Sequence, residues 1–166
     1  HLQEYADMDL IDLRYSFKQG KVSSKGYRST HVGFGITYTL PIITAILSAK
    51  PCSLLLLENP EAHLHPAGQA KLGKLLALAA KSGIQSIVES HSDHVLNGIR
   101  QTVHRREVEP EKIQFHYFRQ EEKENKIQTV VDSPEIDKNG RLNYWPEGFF
   151  DEWDKSLEAL LEPMKD

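Results

Sequence analysis

The 166-residue sequence predicts an α/β fold: a mainly parallel sheet flanked by helices, with an added β-hairpin and a C-terminal helix. Three stretches carry that prediction. "SLLLLEN" (Ser53 to Asn59) is apolar at consecutive positions, as expected of a central strand covered on both faces in a parallel sheet. Leu72, Leu75, Leu76 and Ala79 then form one stripe at helical spacing between Ala67 and Ser82. "IQSIVES" (Ile84 to Ser90) reads as a second strand. Strand, helix, strand in this order is a βαβ unit, with parallel strands and a right-handed crossover.

The other elements follow along the chain. "DLIDLRYSF" (Asp9 to Phe17) reads as a strand, and the basic, Gly- and Ser-rich stretch from Lys18 to Thr30 as an exposed loop. In "GITYTLPIITAILSA", Leu40, Ile43 and Leu47 repeat at helical spacing, as do Ile42 and Ile46. Pro41 should begin or kink that helix, and should push Leu40 out of the α region. Pro66 suits the first turn of the next helix, and Gly83 its stop. A short helix is expected over "DHVLNGIRQTV" (Asp93 to Val103). Lys112 to Phe118 reads as a third strand and Lys126 to Val131 as a fourth, joined by "RQEEKEN" as a solvated hairpin loop. "DKNGRL" is a turn. An amphipathic helix follows Pro146, with Trp145, Phe149, Phe150 and Trp153 read as core anchors rather than a ligand cage.

Composition narrows the class. Hydrophobic residues make up 39% and charged residues 27%, enough for one domain with a real core. A net charge of −4 excludes a global basic field for nucleic acid but leaves room for local basic patches. The lone Cys52 excludes an internal disulfide framework and fits a cytoplasmic protein. No apolar run approaches the roughly 20 residues of a membrane span, so no membrane partner is expected. No signal peptide is expected, and a first residue of His1 rather than Met is read as a cut, processed or partly resolved chain.

Chemistry concentrates at two strand ends. Glu58, Asn59 and Glu61 follow the first strand; Glu89, Ser90, His91, Asp93 and His94 follow the second. Ligands of open α/β sheets bind beyond the carboxyl ends of the strands. If the strands are neighbours, Glu58 and His91 face one cleft, where a carboxylate can hold Mg²⁺ and an imidazole can donate to a phosphate. A polar residue at a strand end also simply meets water.

The motifs at these positions resemble a family. The segment from about Tyr27 to Phe118 is similar to ABC-type ATPases of the AAA group, close to the overcoming-lysogenization-defect and SMC-like proteins. "LLLLENPEAHLHP" looks like their Walker B strand and D-loop, and "VESHSDHVLNGIR" like their switch-histidine segment. "HVGFGITYTLPII" occupies the place of the ABC signature. A bacterial subfamily with an uncharacterised C-terminal domain shares "NPEAHLHP", "SHSDHVLNGIR" and the terminal "WPEGFFD". The resemblance implies that residues 1–118 form the C-terminal part of an ATPase domain, with 119–166 a family-specific extension packed on it. It places Glu58 at the Mg²⁺ position and His91 at the γ-phosphate sensor, with Ser90 beside it. Gly33, Phe34 and Gly35 lie in the signature region, which would contact ATP held by the opposite subunit of a homodimer. The two glycines equally suit a tight turn before a helix. Relatives often act on DNA or in phage defence, sometimes beside a nuclease, so DNA or a nuclease becomes an expected partner.

Three departures shape the expected activity. The usual Asp-Glu pair is here Glu58-Asn59, so an amide stands where the general base is expected, and an amide takes no proton from water. Asn59 would position water and Glu61 supply charge, giving slow hydrolysis. "HVGFG" lacks the serine of a standard signature. No G-x-x-x-x-G-K-[ST] loop is present: around Gly20-Lys21, Tyr15 replaces the first glycine and Val22 follows the lysine. The chain is therefore expected to be the C-terminal half of an ATPase whose phosphate-binding loop lies upstream, and to bind ATP poorly alone.

Two other functions fit the residues. His63, His65, His91, Asp93 and His94 offer ligands for a metal-dependent hydrolase. The first pair, however, precedes Pro66 at a loop-to-helix junction, where capping and packing are the simpler roles. Asn59 also suits a non-hydrolysing nucleotide switch or interaction module. The basic stretches Lys18 to Arg28 and Arg100 to Glu107 suit a phosphate backbone or plain solvation.

Overall fold

A computed structural model describes residues 2–5, 10–123 and 126–161. Strands β1 (Leu2–Tyr5) and β2 (Leu10–Tyr15) pair antiparallel. The next segment is not the irregular loop expected. β3 (Lys18–Gln19) and β4 (Val22–Ser23) form a tight hairpin, and β5 (Tyr27–Arg28) returns to pair with β2. Gly20, at φ 60°, supplies the left-handed turn. The Ser24 hydroxyl accepts the Phe17 N–H at 2.9 Å and closes the hairpin base.

Helix α1 (Phe34–Ser48) contains Pro41 in its interior, and Leu40 stays helical, against expectation. An interior proline costs about 3 kcal/mol. Ile46 is buried and Ile42 packs on the same core, and burying an isoleucine contributes about 1.5–3 kcal/mol each. Packing thus outweighs the local preference.

The centre of the molecule is the expected βαβ unit: β6 (Leu54–Glu58), α2 (Pro66–Lys81) and β7 (Gln85–Glu89), followed by α3 (Asp93–His104). β6 and β7 pair parallel from Leu54↔Gln85 to Glu58↔Glu89. Pro66 occupies the first turn of α2, and Gly83 (φ 80°) ends it, with the Ile84 N–H reaching back to the Ala79 carbonyl. Leu72, Leu76 and Ala79 are buried with Ile46, Ile84 and Val95; Leu55, Leu57 and Val88 line this core from the sheet.

The strands are not covered on both faces among the described residues. Leu54, Leu56 and Ile87 are 55%, 70% and 58% exposed. Successive side chains alternate across the pleat, so the inward set meets the helices and the outward set is open. α2 and α3 approach at backbone distance, because Gly73 and Gly98 carry no Cβ.

β8 (Tyr117–Lys123) and β9 (Lys126–Asp132) form the expected antiparallel hairpin, shifted along the chain. The strand begins at Tyr117, not Lys112, which ends a short 3₁₀ turn. Residues 119–123, expected in the loop, belong to the strand, and the turn itself lies outside the described residues. Cross-strand pairing supports this polar strand: Arg119 meets Asp132 at 2.7 Å. The turn at Asp137 is present, with Gly140 at φ 72°. α4 (Glu152–Leu161) closes the described chain. Of the four aromatic anchors only Phe149 is fully buried; Trp145 and Trp153 are 46% and 69% exposed. Trp145 instead stacks on Arg100 at 5.1 Å and packs on Phe149. No described helix is long and apolar enough to cross a membrane.

Candidate functional site

The parallel register brings the two strand ends together. Glu58 and Glu89 are direct register partners, and both are exposed. In a parallel pair, register partners point to the same face, so the two carboxylates lie side by side, on the face of Leu54, Leu56 and Ile87. The His91 Nε2 lies 2.9 Å from a Glu89 oxygen, with its side chain 81% exposed. Glu58 and His91 therefore share one carboxyl edge, linked through Glu89. Glu89 was in the strand-end cluster, but only the equal length of "LLLLE" and "QSIVE" hints that it stands opposite Glu58.

The loop after β6 is tightly wound. Asn59 takes φ 43°, a left-handed conformation that asparagine tolerates. Its N–H donates to the Glu89 carbonyl at 3.0 Å and extends the strand pairing by one bond. The N–H groups of Ala62 and Leu64 donate to the carbonyls of Asn59 and Glu61, both at 3.0 Å.

Glu61 does not face the open edge, where a residue orienting water would stand. It is only 7% exposed and turns inward. Its Oε1 accepts the Ser90 hydroxyl at 2.7 Å and the His91 N–H at 3.0 Å. The Ser90 oxygen in turn accepts the Ser92 N–H at 3.2 Å. Ser92 caps α3 by accepting the Val95 N–H at 3.1 Å, and donates to the Gln69 side chain at 2.6 Å. Gln69 donates to the Leu64 carbonyl at 2.9 Å. The sequence singles out neither Gln69 nor Ser92 for a role, so this network appears only in three dimensions.

The glycine segment reaches the same loop. Gly33 precedes α1 as its N-cap without a side-chain bond, and Phe34 and Gly35 open the helix. A Cβ on Gly35 would stand 2.6 Å from the His63 carbonyl oxygen, so glycine lets α1 sit against the loop. The rings of Phe34, Tyr38 and His63 cluster with centroids 5.1–6.2 Å apart. Phe34 and Tyr38 are 70% and 54% exposed.

The histidines of the metal-hydrolase alternative do not converge. His63 joins the aromatic cluster, and His65 caps α2 by accepting the Ala67 N–H at 3.4 Å. His91 pairs with Glu89, and His94 lies 3.7 Å from its neighbour Asp93. His63 adopts φ 64°, so the H-x-H pair does not run as a strand with both rings on one side. Among the described residues, no group of three or more His, Cys, Asp or Glu is placed to hold a metal. Mg²⁺ asks for less: it commonly takes one or two carboxylates and keeps water and phosphate oxygens as its other ligands. Glu58 and Glu89 fit that demand.

The family described as AAA domain, putative AbiEii toxin, Type IV TA system, matches residues 13–97. A second family, described as a protein of unknown function (DUF3696), matches residues 108–160. Among solved structures, the chain is similar to one from a study of the structural biochemistry of ATP-driven dimerization and DNA stimulated activation of SMC ATPases. The TM-score is 0.52 at 14% identity, over 98% of this chain and 80% of that one, a likeness of fold. No curated protein matches the chain.

Proposed function

The chain belongs to the AAA-domain family of the putative AbiEii toxin type, and from that premise we propose that it supplies the Mg²⁺- and γ-phosphate-facing part of an ATP-hydrolysing ABC-type ATPase. Residues 1–118 are its ATPase portion and 119–166 an extension packed on it. The observation that carries this reading is the parallel register, which sets Glu58 beside Glu89 and links Glu89 to His91.

Each residue's task follows from its chemistry. Glu58, with Glu89 alongside, would hold Mg²⁺, an ion that neutralises phosphate charge when bound. His91 reads the γ-phosphate by donating from its exposed imidazole, which Glu89 orients. Ser90 fixes the start of that loop. Asn59 orients water through its amide but accepts no proton, so turnover is slow. The phosphate-binding loop, absent from these residues, comes from other polypeptide. Gly33, Phe34 and Gly35 present the start of α1, whose N–H groups suit an anion, to the nucleotide of a second copy.

Asn59 also supports a second reading, a nucleotide-gated switch without hydrolysis. One experiment separates the two: Mg-ATP turnover by the complete protein, compared with Glu58→Gln and His91→Ala. Turnover that both variants lose by tenfold or more is expected. Turnover unchanged in both overturns the site assignment, and no turnover in any form favours the switch.

The SMC study concerns DNA-stimulated activation, and we extend DNA to this chain as a partner on local charge. Between Leu13 and Leu57 there is no Asp or Glu, while Arg14, Lys18, Lys21, Lys25 and Arg28 crowd the β2–β5 region. A role in a toxin–antitoxin system fits the family description; phage defence beside a nuclease is our extension from the resemblance of the sequence motifs.

A further inference from the structure

We infer that Glu61 is a positioning residue, a buried carboxylate that fixes the β7–α3 loop so that His91 projects over the strand edge. The inference rests on the ATPase reading only for its kinetic consequence. Its geometry stands alone.

Glu61 and His91 lie on different loops, 30 residues apart in sequence. One oxygen of Glu61 holds both the Ser90 hydroxyl and the His91 backbone N–H. Hydrogen bonds to a charged acceptor are roughly twice as strong as neutral ones. Ser90, thus fixed, orients the Ser92 N–H, and Ser92 caps α3. The His91 backbone is therefore set from the β6 side of the site, while its ring is left free for Glu89 and solvent. The loop carrying Asn59 and the loop carrying His91 are thereby tied together through Glu61.

The second oxygen, Oε2, is buried and has no hydrogen-bond partner among the described residues. Glu61→Gln keeps an acceptor oxygen for Ser90 and His91, and exchanges one unpaired group for another. If Glu61 acted by its charge on water or phosphate, glutamine would fail as badly as alanine. If Glu61 acts by holding the loop, glutamine restores function and alanine does not.

Two measurements decide it. Amide hydrogen exchange on this chain should show His91 N–H exchanging at least about tenfold faster in Glu61→Ala, as expected when a bond to a charged acceptor is removed. Glu61→Gln, with a neutral acceptor in place of a charged one, should lose no more than about half of that protection on a logarithmic scale, and the α2–α3 core should keep its protection in both. Turnover by the complete protein should show Glu61→Ala losing kcat about tenfold or more with little change in KM, and Glu61→Gln within about threefold of the parent. Unchanged His91 exchange in Glu61→Ala overturns the inference. So does Glu61→Gln matching Glu61→Ala in lost turnover while its His91 exchange stays within that bound, because Glu61 would then act by charge. If Glu61→Ala does not fold, Glu61→Asp takes its place: its shorter side chain draws the acceptor away from the His91 N–H, so faster His91 exchange is expected and unchanged exchange overturns the inference. If the parent has no turnover, the ATPase reading fails and exchange alone still judges the latch.

Discussion

Gly73→Ala tests whether the α2–α3 contact sets the platform beneath the site. A Cβ on Gly73 would stand 2.2 Å from the Val95 carbonyl oxygen and 3.2 Å from the Ile99 nitrogen. Real Cβ atoms essentially never come closer than 3.0 Å. The obstacles are backbone atoms, so no side chain can rotate away and the helices must part by most of an ångström. Alanine is favoured over glycine in a helix interior by about 1 kcal/mol. Overpacking costs about 1–3 kcal/mol, and rigid backbone places this case at the upper end, so a net loss of about 2 kcal/mol is expected. Gly68→Ala is the control, since its Cβ would meet only the Leu64 side chain at an ordinary 3.6 Å. That variant should be neutral or gain up to about 1 kcal/mol. Urea unfolding followed by far-UV circular dichroism reads both. A Gly73→Ala protein as stable as its parent would refute the reasoning, as would an equal loss in Gly68→Ala.

Two further outcomes concern charge. The backbone N–H of Arg141, and then that of Asn139, hold the Asp137 carboxyl below the ordinary aspartate range. A depressed folded pKa means the turn's stabilisation is present above the unfolded value and disappears as pH falls through the folded one. The Asn139 and Arg141 amide resonances should therefore titrate together in acid with a midpoint below that of a free aspartate; a midpoint at or above it contradicts the assigned bonds. Replacing Lys18, Lys21 and Lys25 by glutamate should weaken DNA binding and flatten its dependence on salt, the logarithmic slope falling by about 0.9 for each phosphate those lysines neutralise. Binding by the parent that ignores salt removes DNA as a partner through this patch.

The Glu58/Glu89/His91 edge and the Glu61 latch differ in how far the sequence foretold them. Period and punctuation sufficed for the βαβ unit: the leucine run, the stripe of α2, Pro66 at its start and Gly83 at its end are all local signals. The arrival of Glu58 at one strand end and of His91 just beyond the other was legible too, because each closes or follows a stretch that reads as a strand. Local signals failed where packing overruled them. Leu40 stays helical before Pro41 because Ile42 and Ile46 bury on the core, and the charged residues 119–123 are held in a strand by their partners across the ladder.

What the sequence by itself determined is the order of elements and the residue types at the strand ends, since both follow from hydrophobic period and turn chemistry. Only the tertiary structure decided which carboxylate faces solvent. Glu58 and Glu61 are three residues apart and chemically alike, yet one lies on the open edge and the other is buried against Ser90 and His91. The left-handed turn at Asn59 and the approach of the β7–α3 loop, which brings Ser90 and His91 to Glu61, accompany that difference, and neither is written in the spacing of the two residues.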